Sequence, residues 1–566
     1  MDLLIVNGIV YDPINSVNGE RMDIAVHNGK IIGHVNRSEA KVIDASNMLV
    51  MPGGVDIHSH IAGPKVNAGR LLRPEDHMND LEIKGSFTRS GVGGSVPSTF
   101  TTGYRYARMG YTTVMEPATP PIKTRHTHDE LNDTPIIDKA CYILFGNNWF
   151  VLEYLKDSRV EDCAEYVSWI LDALKGYAIK VVNPGGVEAW GWGENVRGID
   201  DLVPNFDITP REIIRGLCKV NTLLGLPHSV HLHTNNLGRP GNYQTTLDTM
   251  KCVEDLVDGD PILHITHCQF SSFKGDDWTN LASAAPEISD YVNNHNHVTL
   301  DMGQIIFTET TTMTADGPHE YMIHGISGNK WVNLDIEAET GGGVVPYTYK
   351  PKSYVNATQW TIGLELALMI KDPWKVMLST DHPNAGPFIE YPTIMSWLIS
   401  KHARQRSLGR VNKKTLRRSH LSDLDRELSL PELIVMTRCS PSKALGLENK
   451  GHLGVGADAD IAIFDINPMK VDASKDYLTY DRSFRRSAYT IKDGTVVARN
   501  GEITARHTGE TLWIKSGLTQ ESIGSLKDEL RDRFEKYYTI QLDNYTIDES
   551  CLSNSKPLLT QSNLWS

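Results

Sequence analysis

Cysteine is scarce in this chain, and its placement excludes the sites that cysteine usually builds. Seven cysteines occur among 566 residues, and no two of them are spaced as C-x-x-C. An odd and scattered set is typical of a reducing compartment, so we expect a cytoplasmic protein rather than a disulfide-stapled secreted one. The same scarcity leaves no ferredoxin-type cluster motif. We therefore predict no iron-sulfur cluster or pterin in this chain, and we assign any electron transfer to a partner.

The chain also lacks long apolar runs and an excess of positive charge. No stretch approaches the roughly 18 to 20 consecutive apolar residues that span a bilayer. The opening residues, MDLLIVNGIVYDP, lack the basic start and long apolar core of a secretion signal. The formal net charge of -14 disfavours nucleic acid and anionic membranes as partners. We therefore predict no membrane insertion and no nucleic-acid binding.

Short strand patterns at both ends of the chain predict one small β-domain. The first fifty residues contain apolar segments separated by Asn-Gly turn signals, and the same texture returns between Gly454 and Gly501. We infer a β-sandwich assembled from both termini, with a long middle segment inserted between its parts. The predicted division is a sandwich at residues 1–50 and 441–505, a barrel at residues 51–440 and a helical extension at residues 506–566.

The middle segment alternates strand-like apolar runs with helical stretches, which is the pattern of parallel βα units. Eight predicted strands end at or near His60, Glu116, Phe145, Lys180, His233, His267, Met302 and Asp381. Eight such units predict an α/β fold, a TIM-like (β/α)8 barrel whose active site lies at the C-terminal ends of the strands. The longer interval before the eighth strand predicts an inserted excursion or lid at residues 325–347.

Beyond residue 506, a charged segment predicts an amphipathic helix. Its apolar residues recur at helical spacing and are Ile523, Leu526, Leu530, Phe534 and Tyr537. Docking of this face on the barrel is the favoured interpretation, and contact with another subunit is the alternative.

The first predicted barrel strand carries a His-x-His pair. In MLVMPGGVDIHSH the strand ends at His58 and His60, and the two-residue period of a strand points both imidazoles to the same side. The motif alone is weak evidence, because a chain with 21 histidines contains roughly one such pair by chance. The interpretation of this pair as metal ligands therefore needs support from residues at other strand ends.

Those strand ends bring further metal-binding groups to the same barrel mouth. The candidate ligands are His58, His60, Lys180, His233, His267 and Asp381. Four imidazoles and a carboxylate suit zinc, and the set is large enough for two divalent ions. His231 and His264 are alternatives on the fifth and sixth strands. We prefer His233 and His267 because they lie nearer the C-terminal strand ends.

Lys180 is the unusual member, because an ammonium group does not bind a cation. Within the apolar strand AIKVV its amine is expected to be buried with a depressed pKa. A neutral amine reacts with CO2 to give a carbamate, whose two oxygens can bridge two metal ions. For a lysine without histidine neighbours, a salt bridge would be the simpler role.

Asp381 closes the eighth predicted strand, in STDHP. We expect its carboxylate to bind one metal and to act as both base and acid, taking a proton from water and delivering it to a leaving nitrogen. Capping a helix just before Pro383 is the alternative.

Extended motifs around these residues resemble a known family. The segments PGGVDIHSH, STDHP and GADADIAIFD look like the amidohydrolase superfamily, in its binuclear, hydantoinase-like branch. More specifically, MPGGVDIHSHIAGPKVNAGRLLRPEDH, GYAIKVVNPGGVEAWGWGENV and SVHLHTNNLGRPGN resemble the A-type subunits of formylmethanofuran dehydrogenases. The similarity runs through nearly the whole chain.

The resemblance implies two zinc ions bridged by N6-carboxylated Lys180. It also implies a reaction that joins formate to the amine of methanofuran, giving an N-formyl amide, with hydrolysis as the reverse. The implied partners are a molybdenum- or tungsten-pterin subunit that makes formate from CO2, and iron-sulfur subunits.

Substrate contacts are expected in the loop after the first strand, at Asn67 and Arg70. Arg70 either holds formate through a two-pronged hydrogen bond or forms a structural salt bridge.

Other functions are compatible with the same residues. A free-standing hydantoinase, dihydropyrimidinase or N-acyl amino acid deacylase would use the same metals on another amide. The formyl-carrier hydrolase subunit of a methylotroph formyltransferase/hydrolase complex is a further alternative. A metal-free scaffold is disfavoured, because all six ligand positions are filled.

Overall fold

Eight parallel strands form the curled sheet at the centre of the molecule. This computed structural model describes residues 2–256, 259, 261–334, 342–515, 517–538 and 541–560. The strands are β1 (Gly54–Asp56), β2 (Tyr111–Thr119), β3 (Asp138–Leu144), β4 (Ala178–Val182), β5 (Val230–His233), β6 (Leu263–Ile265), β7 (Val298–Asp301) and β8 (Val376–Met377). Each pairs in parallel with the next from β1 to β8. A bridge between Ser59 and His382, just beyond β1 and β8, joins the two ends. The predicted barrel of amidohydrolase type is confirmed.

Helices cover the outside of this sheet, which explains why its strands are buried on both faces. All residues of β3 and β4 are buried, as parallel strands between a core and a helical layer require. From β1 to the end of β8 the chain forms the helices Pro64–Leu72, Asp76–Asn79, Thr99–Arg108, Thr124–Asn132, Trp149–Lys156, Val160–Leu174, Gly186–Gly191, Pro210–Leu223, Tyr243–Lys251, Ala285–Asn294, Gly317–Ser327 and Tyr354–Met369. After β8 follow Tyr391–Ile399, Lys401–Leu408, Leu430–Ile434, Ser440–Ala444 and Tyr477–Arg485.

A separate nine-stranded sheet is built from both ends of the chain. Its strands are Leu3–Asp12, Val17–His27, Lys30–Ile32, Lys41–Asp44, Leu49–Pro52, Ile461–Phe464, Tyr489–Lys492, Thr495–Arg499 and Glu502–Ile503. The two halves join where Ile461–Phe464 pairs antiparallel with Leu49–Pro52. The two ends of the chain therefore build one β-domain, with the barrel inserted between its parts in sequence, as predicted; the predicted domain bounds stay predictions.

The interval between β7 and β8 carries an additional layer over the barrel. It contains the strands Glu309–Thr314, Val332–Leu334 and Gly342–Thr348, which form one antiparallel sheet, and the helix Gly317–Ser327. The predicted excursion at residues 325–347 falls in this interval, and its residues 335–341 lie outside the described part of the chain.

The C-terminal segment packs back on the barrel. In the helix Gln520–Tyr538, the side chains of Leu526, Leu530 and Phe534 are buried, and the Phe534 ring stacks on Phe150 with 4.8 Å between centroids. This is the docking arrangement that the sequence favours; the side chain of Tyr537 lies outside the described residues.

The same segment adds strands that the helical prediction does not include. Thr511–Lys515 and Ser555–Leu559 pair in parallel with each other, and Thr511 pairs with Lys139 in β3. Within the part of the chain that the structure describes, every helix is too short or too polar to span a bilayer.

Candidate metal centre

Two histidines and one aspartate meet where β1 and β8 end. His58 and His60 are 2% and 3% exposed, and their Nε2 atoms lie 3.0 and 3.4 Å from Oδ1 of Asp381. One ligand atom from each of the three residues lies within 4.8 Å of the other two. This is a spacing that a single ion could satisfy, with nitrogen and oxygen ligands of the kind zinc takes.

The remaining predicted ligands lie beside this group. The ring centroids of His233 and His267 are 4.8 Å apart, and those of His58 and His267 are 5.3 Å apart. Lys180 donates a 3.1 Å hydrogen bond from Nζ to Oγ1 of Thr266, and the same Oγ1 lies 3.1 Å from Nε2 of His267. All six predicted ligands line one cavity of about 290 Å³.

His231 and His264 lie deeper in the barrel than the preferred histidines. The ring of His231 packs against Tyr142 and His264, with centroid distances of 4.5 and 4.9 Å. His264 is held by Asp301, 3.2 Å from its Nε2. Neither lines the cavity, so the geometry supports His233 and His267 as the ligand candidates.

Lys180 is buried without a counter-charge in contact. It is 1% exposed, and among the described residues it forms no ion pair. Burial lowers the pKa of its amine from 10.5 to about 7, against the opposing attraction of Asp301 and Asp381. A substantial fraction of the amine is thus neutral at physiological pH.

Asp381, in contrast to the Lys180 amine, remains charged. Burial alone would raise the pKa of its carboxyl, but neighbouring His58 and His267 hold that pKa well below its ordinary value. The backbone at His267 and Asp381 is left-handed, with φ of 37° and 49°. Such backbone costs about 1 to 3 kcal/mol per residue and is concentrated at functional sites.

Buried carboxylates lie behind three of the histidines, and the sequence analysis missed them. Asp301 Oδ2 lies 3.3 Å from Nδ1 of His58, Glu116 Oε1 lies 3.0 Å from Nδ1 of His60, and Asp316 Oδ2 lies 3.0 Å from Nε2 of His233. Metal-binding histidines are usually oriented in this way by a second group. Glu116 lies within β2 and Asp301 ends β7, so acidic residues in apolar strands were the available signal.

The donor set fits a divalent cation. Nδ1 of His267 is buried and has no hydrogen-bond partner among the described residues. In each of His58, His60 and His233, a carboxylate contacts one ring nitrogen, which leaves the other nitrogen for a cation. Buried polar atoms without partners are rare, and a cation would satisfy them.

The predicted substrate contacts are not brought to the cavity. Asn67 is exposed on the helix Pro64–Leu72. Arg70 donates from Nη1 to Oε1 of Glu130 at 3.0 Å and from Nε to the Pro97 carbonyl at 3.0 Å. Arg70 therefore forms the structural salt bridge named as its alternative role, and a substrate role for either residue stays a prediction.

The outer part of the cavity is largely apolar. Its wall includes Phe270, Trp278, Met322, Ile323, Ile326 and Tyr347. An apolar wall above a cluster of polar groups is the usual composition of a small-molecule site. The cavity can hold an apolar portion of a substrate beside the polar cluster.

Comparisons with known proteins agree with this geometry. The Amidohydrolase family model matches residues 41–498. The chain is 52% identical to the protein FwdA of Methanocaldococcus jannaschii over 97% of both chains. It is 33% identical to the A-type component of the formyltransferase/hydrolase complex Fhc of Methylorubrum extorquens, over 93% of both.

A solved structure of that complex, crystallised with methylofuran, superimposes with a TM-score of 0.90. It shares 31% identity and covers 99% of this chain and 100% of its own. The resemblance predicted from the motifs is confirmed. The chain belongs to the amidohydrolase family.

Proposed function

We propose that this chain is the component of a formylmethanofuran dehydrogenase that joins formate to the amine of methanofuran. In balanced form, formate and the ammonium form of the amine give the N-formyl amide and water, and hydrolysis is the reverse. The observation that carries the proposal is the buried group of six candidate ligands in one cavity, together with 52% identity to FwdA over 97% of the chain.

His58, His60 and Asp381 would hold one zinc ion, and His233 and His267 would hold a second. Lys180 would bridge the two after its neutral amine adds CO2, forming a carbamate and releasing one proton. Its burial and its lack of an ion pair among the described residues support this chemistry. Bound there, the two ions would supply Lewis acidity to the formyl carbonyl and lower the pKa of a water.

We assign the proton transfers of the reaction to Asp381. In hydrolysis its carboxylate accepts a proton from the attacking water and donates it to the leaving nitrogen. In condensation the same two transfers run in reverse. The Nε2 atoms of His58 and His60 lie 3.0 and 3.4 Å from its Oδ1, so the three groups would share one ion.

The proposed partners follow from the same comparisons. One relative is a component of the formyltransferase/hydrolase complex Fhc, so we place this chain in an assembly of several subunits as well. A molybdenum- or tungsten-pterin subunit would supply formate from CO2, with iron-sulfur subunits carrying its electrons. This chain would then contribute only the amide chemistry.

The test is formate release from N-formylmethanofuran by the full-length chain reconstituted with zinc. We expect turnover by the wild type and a loss of at least about 100-fold in kcat for Asp381→Asn, because a positioned acid and base contributes that much or more. Asp290→Asn, an exposed aspartate outside the cavity, is the matched control.

Two outcomes would contradict the proposal. A chain that opens hydantoins or dihydropyrimidines but leaves N-formylmethanofuran intact would be a hydantoinase-type enzyme. Full activity of Asp381→Asn would remove Asp381 from the acid and base role while leaving the substrate assignment in place.

A further inference from the structure

Glu320 is a buried acidic residue at the cavity that the proposed mechanism does not use. It lies on the helix Gly317–Ser327, is 0% exposed and lines the cavity. Among the described residues no lysine, arginine or histidine forms an ion pair with it. An ionised carboxylate in that setting would be buried without a compensating charge, which proteins rarely tolerate.

The hydrogen bonds of Thr312 indicate which form of Glu320 is present. Oγ1 of Thr312 lies 2.8 Å from Oε2 of Glu320 and 3.0 Å from the carbonyl oxygen of Val345. A hydroxyl has one hydrogen, and a backbone carbonyl can only accept. If Thr312 does not share its single hydrogen between the two oxygens, both contacts are hydrogen bonds only when Thr312 donates to Val345 and accepts from a protonated Oε2 of Glu320.

The charges around Glu320 also favour its protonated form. In the metal-free chain, burial raises the pKa of Glu320 well above its ordinary value, and the nearby carboxylates of Asp316 and Asp381 raise it further. Tyr349, from the neighbouring strand region, and His319, from the same helix, also line the cavity. Burial holds the pKa of His319 at about 4, so it is neutral and adds no positive charge.

The second oxygen of Glu320 is unsatisfied. Oε1 is buried and has no hydrogen-bond partner within the described part of the chain. In a protonated carboxyl whose hydrogen is on Oε2, this oxygen is the carbonyl and can only accept. A buried acceptor beside a cavity favours an occupant with an N–H or O–H group, since leaving it unsatisfied costs about 1 to 3 kcal/mol.

We infer that Glu320 is maintained as a neutral carboxylic acid and that its Oε1 accepts a hydrogen bond from the N–H of the amide or amine in the cavity. The inference rests on the proposed function for the identity of that ligand. Glu320 would then select substrates that carry a hydrogen on the reacting nitrogen and would disfavour tertiary amides. Its role is recognition, and proton transfer stays with Asp381.

Replacement by glutamine tests the inference sharply, because an amide copies a neutral carboxyl. In Glu320→Gln the NH2 group can donate to Thr312 and the carbonyl takes the place of Oε1. We expect kcat and KM for N-formylmethanofuran within about threefold of the wild type and an unchanged pH profile. In Glu320→Met, which has similar length but no acceptor, we expect KM to rise about tenfold, with a smaller change in kcat.

A loss of activity in Glu320→Gln equal to that in Glu320→Met would overturn the inference, as would a shifted pH profile. Melting temperatures identify any variant that fails to fold. An infrared difference spectrum of wild type minus Glu320→Gln gives a readout independent of turnover: the carbonyl band of a protonated carboxylic acid is expected, and its absence would show an ionised Glu320. A wild type that releases no formate would contradict the proposed function, and the infrared band would still decide the state of Glu320.

Discussion

Asp301 supports the candidate metal centre from behind. Its Oδ2 lies 3.3 Å from Nδ1 of His58 and 3.2 Å from Nε2 of His264, while its Oδ1 accepts a 2.8 Å hydrogen bond from the backbone N–H of His267. One carboxylate thus orients one proposed ligand and fixes the backbone of another. Its pKa is held low by these histidines against the effect of burial, so it is ionised.

Asp301→Asn is therefore expected to weaken zinc binding about 10- to 100-fold, the usual effect of losing an orienting partner. The amide keeps the shape but not the charge that fixes the His58 imidazole. Competition between the protein and a zinc chelator measures the change. Asp290→Asn, exposed on the helix Ala285–Asn294, should bind zinc as the wild type does. Equal affinity of the two variants would mean that Asp301 only stabilises the fold.

Lys180 gives the metal-free chain a distinctive pH dependence. Its pKa falls from 10.5 to about 7 on burial, so between these values the unfolded chain binds more protons than the folded one. Stability therefore rises with pH across that window, by up to about 1.4 kcal/mol per unit, and the full penalty of the buried charge is present below about pH 7.

Lys180→Met removes this titration. In chelator and CO2-free buffer, we expect the variant to melt above the wild type at pH 7 and its advantage to shrink toward pH 9. Parallel melting curves across that range would indicate that the wild-type amine does not change its charge there. With zinc and bicarbonate restored, the order should reverse, because only the wild type can form the carbamate.

The sequence predicted those site residues whose role follows from a local strand pattern, and it missed those whose role depends on a residue far along the chain. His58 and His60 share one strand, and Asp381 closes another, so period two and the barrel rule place them together. Glu116, Asp301 and Asp316 act only through histidines more than 35 residues away or on other strands. Arg70 shows the same limit: its guanidinium donates to Glu130, 60 residues along the chain, a contact with no local signal, and its substrate role stays a prediction.

At the scale of whole elements, the C-terminal helix Gln520–Tyr538 shows what periodicity can predict. The apolar spacing identifies the buried face, and Leu530 and Phe534 are both 0% exposed. The two nearby strands are not predictable in this way. Thr511–Lys515 is held by parallel pairing with Ser555–Leu559, a partner about 40 residues away that leaves no local pattern.

Leu530→Ala should loosen this helix. Truncation of a fully buried leucine costs about 2 to 5 kcal/mol, and the helix lies on the outside of the barrel. We expect faster amide hydrogen exchange across the helix and a lower melting temperature, with kcat unchanged. Asp528→Ala, on the exposed face, is the control. A loss of activity without a change in exchange would mean that this helix acts on the site.

At the scale of the molecule, a buried ionic cluster ties the terminal β-sheet to the barrel. Nζ of Lys450 lies 2.5 Å from Asp138, and 3.0 Å from both Asp458 and Asp460. Lys492 adds contacts of 3.1 Å to Asp138 and 3.2 Å to Asp460. Asp138 begins β3, so the cluster lies at the N-terminal end of the barrel strands, opposite the proposed active site.

In barrels of this kind, residues at the N-terminal face contribute to stability and those at the C-terminal face to catalysis. A change in the ionic cluster should therefore lower stability without affecting catalysis. Lys450→Met leaves Asp138 and Asp460 with Lys492 alone and Asp458 with Lys30 and Lys556, and breaking a buried pair costs about 3 to 5 kcal/mol. We expect a clearly lower melting temperature, with zinc content and kcat of the folded protein unchanged. Lys443→Met, at an exposed position nearby, should melt as the wild type does. If Lys450→Met instead lowered kcat at temperatures where the chain is folded, the terminal sheet would have to influence the metal centre through the length of the barrel strands.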